Sequence, residues 1–335
     1  MKMYKIIFFN SLILGTLITI SSYSWFSMWM GLEINLLSII PLMTSTKNMF
    51  ASESAMKYFI TQALASMILL FSVILMLLTN EFIAPEMNST YLMMLNSALL
   101  TKLGAAPFHF WFPEVMEGLS WTNCLILTTW QKIAPMILIM NNLTFKFLLI
   151  IIFISLIISS IMNFNQTSLR KIMSYSSINH MSWMISTMMM SFSLWLIYFS
   201  VYTILSINIM LIFKISSSFY MKQLFNVMNT NKITKFTLML NFLSLGGLPP
   251  FIGFIPKWLT INWLIINKMY LLSFILIILT LIMLFIYIQL IFSSLILLHS
   301  ETKISSNKMN SFIIYLINSF TLTSLISCTW LMNFL

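Results

Sequence analysis

The stretch LTKLGAAPFHFWFPE, which runs from Leu100 to Glu114, decides how this chain folds. It lies in an apolar segment of membrane-spanning length, yet it carries Lys102 with no acidic residue before Glu114. A lysine at the middle of a bilayer costs about 2.5–3.5 kcal/mol on insertion scales, so it is a functional-site candidate. Pro107 has no N–H to donate, and with Gly104 it predicts a helix break beside this lysine. Such breaks are tolerated in a bilayer only inside protein or beside a wet cavity.

The composition around this stretch is that of a membrane protein. Of the 335 residues, 60% are hydrophobic and 7% are charged, none of them Asp. This composition predicts a polytopic membrane protein and excludes a soluble globule. The net charge of +10 comes from residues scattered between apolar spans, so we expect no nucleic-acid partner. Cys124 and Cys328 lie far apart in apolar segments, and the chain shows neither a Cys/His cluster for a metal nor a glycine-rich nucleotide loop.

The apolar segments predict about eleven transmembrane helices, since a spanning helix needs about 20 apolar residues. They cover about residues 6–23, 25–44, 56–79, 91–112, 121–141, 146–163, 171–190, 194–215, 236–266, 270–298 and 311–334. The first could be a signal peptide, but no small-residue cleavage site follows it. The longest loops, about 216–235 and 299–310, are too short for a second domain. The predicted fold is therefore an all-α polytopic membrane protein in which residues 1–335 form a single transmembrane domain.

The basic residues support this helix count and suggest an orientation. Three of the seventeen lie inside predicted helices, and Lys146 and Lys268 lie on the side opposite the N-terminus. The other twelve share the side of the N-terminus: Lys2, Lys5, Lys47, Lys57, Arg170, Lys171, Lys214, Lys222, Lys232, Lys235, Lys303 and Lys308. Because positive charge collects on the inner side of a membrane, we expect the N-terminus to face the cytoplasm or the mitochondrial matrix.

A short internal repeat predicts two inverted halves. Leu103-Gly-Ala-Ala-Pro107 recurs as Leu245-Gly-Gly-Leu-Pro249, and Phe112 matches Phe254 in the same register. The two copies interrupt the fourth helix of each five-helix block, and blocks with an odd number of helices cross the membrane in opposite directions. Paired interrupted helices at corresponding positions indicate a transport site. We therefore expect inverted repeats over about 1–145 and 146–298, followed by a C-terminal helix at 311–334.

Four ionisable residues at membrane depth carry the functional hypothesis: Glu33, Lys102, Lys132 and Lys257. A lysine amine changes its proton affinity readily when it is buried, whereas an arginine does not. A Glu–Lys pair that opens and closes would change the proton affinity of its lysine, and water could carry the proton onward. The alternative is snorkelling or silent pairing, and that reading has most weight for Lys257, which is closest to a helix end.

Histidines and the remaining acids leave further alternatives open. His180, among hydroxyl and amide side chains of the seventh helix, is either a bridge between lysine sites or a hydrogen-bonded core residue. His109 lies just past the break and could be interfacial, and Glu114 is intermediate between a solvated and a functional residue. Lys57 is expected to pair with Glu53 one turn earlier.

Four motifs carry a resemblance to a known family. They are Leu103-GAAPFHFWFPE-Val115, Thr129-WQKIA-Pro135, Gln166-TSLRKIMSYSSINH-Met181 and Leu245-GGLPPFIGFIPK-Trp258. Together they resemble the chain 2 family of the NADH–ubiquinone oxidoreductases of animal mitochondria, and the residue usage is insect-like. The resemblance implies an antiporter-like membrane subunit of respiratory complex I. It also implies roles: Glu33 and Lys102 as the modulating pair, Lys132 as the central relay lysine, Lys257 as the lysine leading onward, and His180 on the polar axis.

The resemblance also implies cofactors, partners and location. It predicts no cofactor on this chain, with NADH, flavin, iron–sulfur clusters and ubiquinone bound by other subunits. The partners would be other membrane-arm subunits of complex I, both antiporter-like and small, together with phospholipid, for which cardiolipin is a candidate. The chain would cross the mitochondrial inner membrane many times, with its N-terminus in the matrix and its C-terminus in the intermembrane space.

Two rival functions remain at this stage. The first is a stand-alone cation/proton antiporter of the same fold, which would need carboxylate ligands for its ion. Glu33 is the one carboxylate clearly at membrane depth in the predicted topology, which argues against that rival. The second is a structural membrane-arm subunit whose buried lysines are inert.

Overall fold

A computed structural model describes residues 3–45, 48–79, 87–230 and 232–296, with Ser319 and Thr323. The described chain is helical, apart from an isolated antiparallel bridge between Ser168 and Tyr220. It divides into two compact units, residues 1–154 and residues 155 onward. Apart from Ser319 and Thr323, the predicted C-terminal helix at 311–334 lies outside the described residues.

The first unit is built from α1 to α7 and the start of α8. The bounds are α1 (Met3–Ser21), α2 (Trp25–Met43), α3 (Met49–Thr79), α4 (Met87–Leu103), α5 (Trp111–Gly118), α6 (Trp121–Thr128), α7 (Trp130–Asn141) and α8 (Phe145–Asn163). Within this unit α3 packs against α2, α4 and α5, while α7 packs against α1, α4 and α6. The middle of α2 and of α3, the end of α4 and the start of α7 meet around one region, which holds the candidate site.

Two glycines bring α1 and α2 into close contact. A Cβ atom on Gly15 would lie 2.9 Å from the backbone nitrogen of Asn35, and one on Gly31 would lie 2.9 Å from the carbonyl oxygen of Gly15. Real Cβ atoms do not approach backbone so closely, so only glycine permits this crossing. Small residues play this part where membrane helices pack, because lipid supplies no hydrophobic force between them.

The second unit contains the rest of α8 and α9 to α14. The bounds are α9 (Leu169–Met188), α10 (Phe192–Ile215), α11 (Met221–Thr230), α12 (Lys232–Gly246), α13 (Phe254–Ile266) and α14 (Tyr270–Ile296). Helix α9 is the centre of this unit, since eighteen of its twenty residues are buried. It packs against α10, α13 and α14.

The described helices match most of the predicted spans. Seven are long and apolar enough to cross a membrane, the last of them running from Tyr270 to Phe292. Three further predicted spans fail that test for physical reasons. The fourth is divided between α4 and α5, the ninth between α12 and α13, and the seventh is α9, whose serines lower its hydropathy.

Two predicted boundaries were wrong, and a third span keeps its bounds with an interruption. Helix α3 begins at Met49 rather than near residue 56, so Lys57 lies inside the helix. The predicted loop at 216–235 contains α11 and the first turn of α12, because α11 is an amphipathic helix with little net hydrophobicity. The span predicted at 121–141 is confirmed, since Trp121–Asn141 is long and apolar enough to cross a membrane, although Thr129, with φ −110° and ψ −71°, interrupts it between α6 and α7.

Candidate functional site

Lys102 lies in the last turn of α4, directly before the predicted break, and is 8% exposed. The helix ends at Leu103, and Gly104 follows in the left-handed region with φ +72°. The N–H of Ala105 donates to the carbonyl of Leu100 at 3.1 Å, and the N–H of Gly104 donates to Thr101 at 3.2 Å. This pair of bonds is the Schellman ending of a helix, in which glycine occupies the left-handed position without strain. The prediction of a break beside Lys102 is confirmed.

Side chains from other elements satisfy the remaining carbonyls at the end of α4. The indole Nε1 of Trp111 donates to the carbonyl of Thr101 at 3.1 Å. The amide Nε2 of Gln62, on α3, donates to the carbonyl of Lys102 at 3.3 Å. The last carbonyls of a helix need such partners when they are buried. Because Gln62 and Trp111 fill that role, the end of α4 does not need the Lys102 amine as a cap.

A polar cluster that the sequence analysis did not assign surrounds Lys102. Gln131 donates from Nε2 to Oδ1 of Asn35 at 2.8 Å, and the hydroxyl of Tyr58 donates to Oε1 of Gln131 at 3.4 Å. Together with Gln62 and Lys102 these residues line a small cavity of about 10 Å³, which has room for about one water molecule. Gln131 lies inside a motif quoted from the sequence and Asn35 does not, and neither residue carries a charge that would have indicated its position.

Glu33, on α2, is half-buried, and its Oε1 atom has no hydrogen-bond partner among the described residues. Its neighbours on α2, Leu32 and Asn35, line the same cavity as Lys102. In the described part of the chain the side chains of Glu33 and Lys102 do not form a direct ion pair. The structure therefore places Glu33 on the helix that borders the Lys102 cavity, while the role of the two residues as a modulating pair stays a prediction.

Lys132 is the most deeply buried of the candidate lysines. It is 1% exposed, in the first turn of α7 directly after the irregular residue Thr129, and its amine lies 5.8 Å from the centroid of the Phe112 ring. Pro135 follows one turn later inside the helix, where it cannot donate to the carbonyl of Gln131. The backbone of this span is thus irregular on both sides of Lys132.

Lys257 lies in the first turn of α13 and caps the preceding broken helix. Its amine donates to the carbonyl of Gly246 at 2.8 Å and to the carbonyl of Leu245 at 3.3 Å, the last two residues of α12. The amine also lies 5.7 Å from the centroid of the Trp183 ring. A cation at a helix C-terminus is favoured by the helix dipole and by the free carbonyls.

The two breaks have the same hydrogen-bond pattern. Gly247, like Gly104, is left-handed, with φ +79°. Leu248 donates to Leu243 at 3.3 Å and Gly247 donates to Ser244 at 3.0 Å, which repeats the Schellman ending of α4. Gly104 therefore corresponds to Gly247 rather than to Gly246, which the match of LGxxP motifs had predicted.

In this corrected register Pro107-Phe108 matches Pro250-Phe251, and Pro113 matches Pro256. The next residue is Glu114 in the first unit and Lys257 in the second. Glu114 has a different partner, since its Oε2 atom lies 3.0 Å from the amine of Lys57. Lys57 also pairs with Glu53 at 3.0 Å, as the sequence predicted.

His180 lies on α9, one turn before Trp183, and shares a hydrogen bond of 2.9 Å from Nδ1 with the hydroxyl of Tyr198. Its ring also packs 5.1 Å from the ring of Tyr202. The structure thus places a hydrogen-bonded histidine on the same helix as Trp183, which contacts Lys257. Both readings of His180, relay bridge and core residue, remain compatible with this geometry.

His109, in the turn after the break, is buried at 2% exposure and packs 4.5 Å from the Phe110 ring. Across the described residues no group of three or more His, Cys, Asp or Glu side chains could hold a metal ion. Within each unit the candidate residues are thus amines, amides, hydroxyls, imidazoles or a half-buried carboxylate, which are groups that can transfer protons.

Comparison with known proteins identifies the chain. The sequence profile described as NADH:quinone oxidoreductase/Mrp antiporter, TM, matches residues 22–283. NADH-ubiquinone oxidoreductase chain 2 of Anopheles gambiae is 54% identical over 262 residues, which are 78% of this chain and 77% of that protein. The chain belongs to the NADH-ubiquinone oxidoreductase chain 2 family. The chain 2 protein of Locusta migratoria is 44% identical over 314 residues, 93% of this chain and 92% of the relative.

Solved structures share the fold of this chain 2 family member. A chain of respiratory complex I from Thermus thermophilus, solved with bound aureothin, matches with a TM-score of 0.86 at 19% identity. The match covers 98% of this chain and 78% of that one. A chain of the Mrp complex from Dietzia sp. DQ12-45-1b matches with a TM-score of 0.73 at 14% identity, over 87% of this chain and 60% of the other. The antiporter-like fold predicted from the sequence is confirmed.

Proposed function

We propose that this chain is a membrane-arm subunit of respiratory complex I and translocates protons through Glu33, Lys102, Lys132, His180 and Lys257. The energy would come from electron transfer between NADH and ubiquinone in other subunits. The observation that carries the proposal is the burial of Lys132, which is 1% exposed within the apolar span Trp121–Asn141. An ionisable side chain is costly there, and such side chains mark proton pathways in membranes.

The chemistry of the relay follows from the burial of its members. A carboxylate stabilises the charged form of a nearby lysine, so a movement that separates Glu33 from Lys102 would make Lys102 a better proton donor. Lys132 and Lys257 are buried amines of the same kind, and each can accept a proton in its neutral form and release it in its charged form. His180, hydrogen-bonded to Tyr198, can take part between lysine sites because imidazole accepts and donates protons near neutral pH.

The proposal extends to cofactors, location and partners. The redox groups would lie on other subunits, since two distant cysteines cannot supply the four thiolates of an iron–sulfur cluster. The chain would cross the mitochondrial inner membrane with its N-terminus in the matrix, as the distribution of basic residues favours. Its partners would be other membrane-arm subunits, and phospholipid would cover exposed apolar side chains such as Leu14, Met67 and Phe274.

The test replaces Lys132 in a relative that carries the same residue and whose gene can be edited. Lys132→Met keeps the bulk of the side chain and removes the titratable amine, and Lys132→Ala removes both. We expect the complex to assemble on a native gel while quinone reduction and proton pumping fall together. The matched control is Lys146→Ala, since Lys146 is exposed at the start of α8.

The contrary result is equally clear. If the Lys132→Met complex assembles and both of its activities equal those of the Lys146→Ala control, Lys132 is not needed for proton transfer and the relay proposal is wrong. The chain would then be a structural subunit with inert buried lysines. A fall in pumping with unchanged quinone reduction would indicate instead that Lys132 carries protons without being coupled to electron transfer.

A further inference from the structure

Among the described residues that line the cavity beside Lys102, Lys102 is the one charged residue. The other polar residues of this lining are Asn35, Tyr58, Gln62 and Gln131, from α2, α3 and α7, which we call the amide cluster. Asn35 and Gln62 are 3% and 4% exposed, so these amides are sealed inside the first unit. Burying an amide is costly unless its donors and acceptors are satisfied.

The hydrogen bonds of the amide cluster leave spare capacity. Gln131 uses one N–H towards Asn35 and its carbonyl oxygen towards Tyr58, which leaves its second N–H. The amide group of Asn35 keeps its own donors, and the Lys102 amine has no hydrogen-bond partner among the described residues. The space between them admits about one water, and a buried water needs two to four polar partners. The cluster therefore has the size and the chemistry of a water site.

Gln131 is the residue that joins the parts of the amide cluster. It contacts α2 through Asn35 and α3 through Tyr58, and its own carbonyl lies in the stretch of α7 that Pro135 interrupts. It is also the sequence neighbour of Lys132. Truncating this one side chain would remove the bonds to both Asn35 and Tyr58, whereas the loss of the Tyr58 hydroxyl would remove a single, longer bond of 3.4 Å.

We propose that the amide cluster holds one water against Lys102 and that Gln131 is its positioning residue. The inference rests on the proposed relay function and names the first acceptor in it. In this step an N–H bond of the Lys102 ammonium breaks and an O–H bond to the water forms. The same water gives one of its own protons to the next group of the relay, so the water is regenerated and the amine becomes neutral.

The experiment compares Gln131→Met with the native complex, in a relative with the same residues. Methionine keeps the length of the side chain but cannot make the two bonds. We expect assembled complex with pumping lowered about fivefold, the order of effect of losing buried hydrogen bonds. The solvent deuterium isotope effect on pumping should rise, because the proton step at Lys102 becomes more nearly rate-limiting. A purely structural role would not change that isotope effect.

Two further variants keep the proposal falsifiable. Gln166→Met makes the same chemical change at a glutamine in the connection between α8 and α9, which bonds the carbonyl of Met162, and should leave the isotope effect at its native value. Tyr58→Phe keeps the ring and removes one bond, so it tests the cluster even if Gln131→Met does not assemble. An isotope effect unchanged in Tyr58→Phe and in any assembled Gln131→Met overturns the proposal. Lys132→Met decides the relay separately, so the two failures are distinguishable.

Discussion

The amine of Lys257 lies 2.8 Å from the carbonyl oxygen of Gly246, the last residue of the broken helix α12. At the matching break in the first unit, the neutral amide of Gln62 donates to the last turn of α4 instead. The two lysines beside the breaks therefore have different surroundings. Lys102 lines a small polar cavity, whereas the amine of Lys257 donates hydrogen bonds to main-chain carbonyls. A neutral amine has fewer N–H donors than an ammonium. Loss of the proton from Lys257 would therefore weaken its hydrogen bonds to the carbonyls at the end of α12.

Gly247→Ala should disturb the Lys257 site. A Cβ atom there would lie 2.7 Å from Cδ of Lys257 and 2.9 Å from its amine, and φ is +79°. The left-handed backbone alone costs a non-glycine residue about 1–2 kcal/mol. We expect lower thermal stability of the assembled complex and reduced pumping, measured by thermal inactivation and by proton uptake in vesicles.

The control for this prediction is Gly246→Ala, one residue earlier. Its Cβ atom would meet the flexible side chain of Leu284 at 3.3 Å, and its backbone is helical. The Gly246→Ala complex should remain close to native. Equal effects of the two substitutions would show that the space around Lys257 does not matter.

Gln62→Met should destabilise the break beside Lys102. The variant removes the donor to the Lys102 carbonyl, and an unsatisfied buried carbonyl costs about 1–3 kcal/mol. Limited proteolysis of the assembled complex should detect faster opening near residues 104–110. Gln62→Glu should be worse than Gln62→Met, because a carboxylate cannot donate and repels the carbonyl. The opposite order would mean that Gln62 does not cap α4.

Tyr198→Phe tests whether His180 belongs to the relay. The substitution removes the 2.9 Å hydrogen bond to Nδ1 and keeps the ring that stacks with Trp183. If His180 carries protons, pumping should fall several-fold, about the effect of one buried hydrogen bond. Stopped-flow measurement of proton uptake checks this rate.

Tyr270→Phe provides the matched change at a tyrosine that is 59% exposed, and it should pump normally. Native pumping in Tyr198→Phe with intact assembly would favour the reading of His180 as a core residue.

Glu33→Gln should slow turnover, because it removes the negative charge that the proposed relay pairs with Lys102 while it keeps the side-chain shape. A change of this kind in partly buried surroundings is worth about 1–2 kcal/mol, so we expect about a tenfold effect on quinone reduction coupled to pumping. The control is Glu53→Gln, since Lys57 keeps its second partner Glu114 there. Turnover in Glu33→Gln that matches this control would remove Glu33 from the mechanism.

Local sequence patterns were enough to predict the class of fold and the two positions at which helices are interrupted. Long apolar runs must be helical in a bilayer, and the proline and glycine at Pro107 and Gly104 end a helix through local sterics and missing donors. Lys102, Lys132 and Lys257 stood out because a charge in an apolar span is costly wherever it lies. These are local properties, so they can be read from a window of residues.

The hydrogen bonds between side chains of different helices could be identified only from the three-dimensional structure. No local rule pairs Gln131 with Asn35 or Tyr58, because these contacts join helices far apart in the chain and uncharged amides leave no mark in the sequence pattern. The register of the repeat also needed the backbone, since Gly246 and Gly247 are adjacent and only the left-handed φ identifies the capping residue. The use of Lys257 as a cap depends on a neighbouring helix end, which is set by packing and not by the residues beside it.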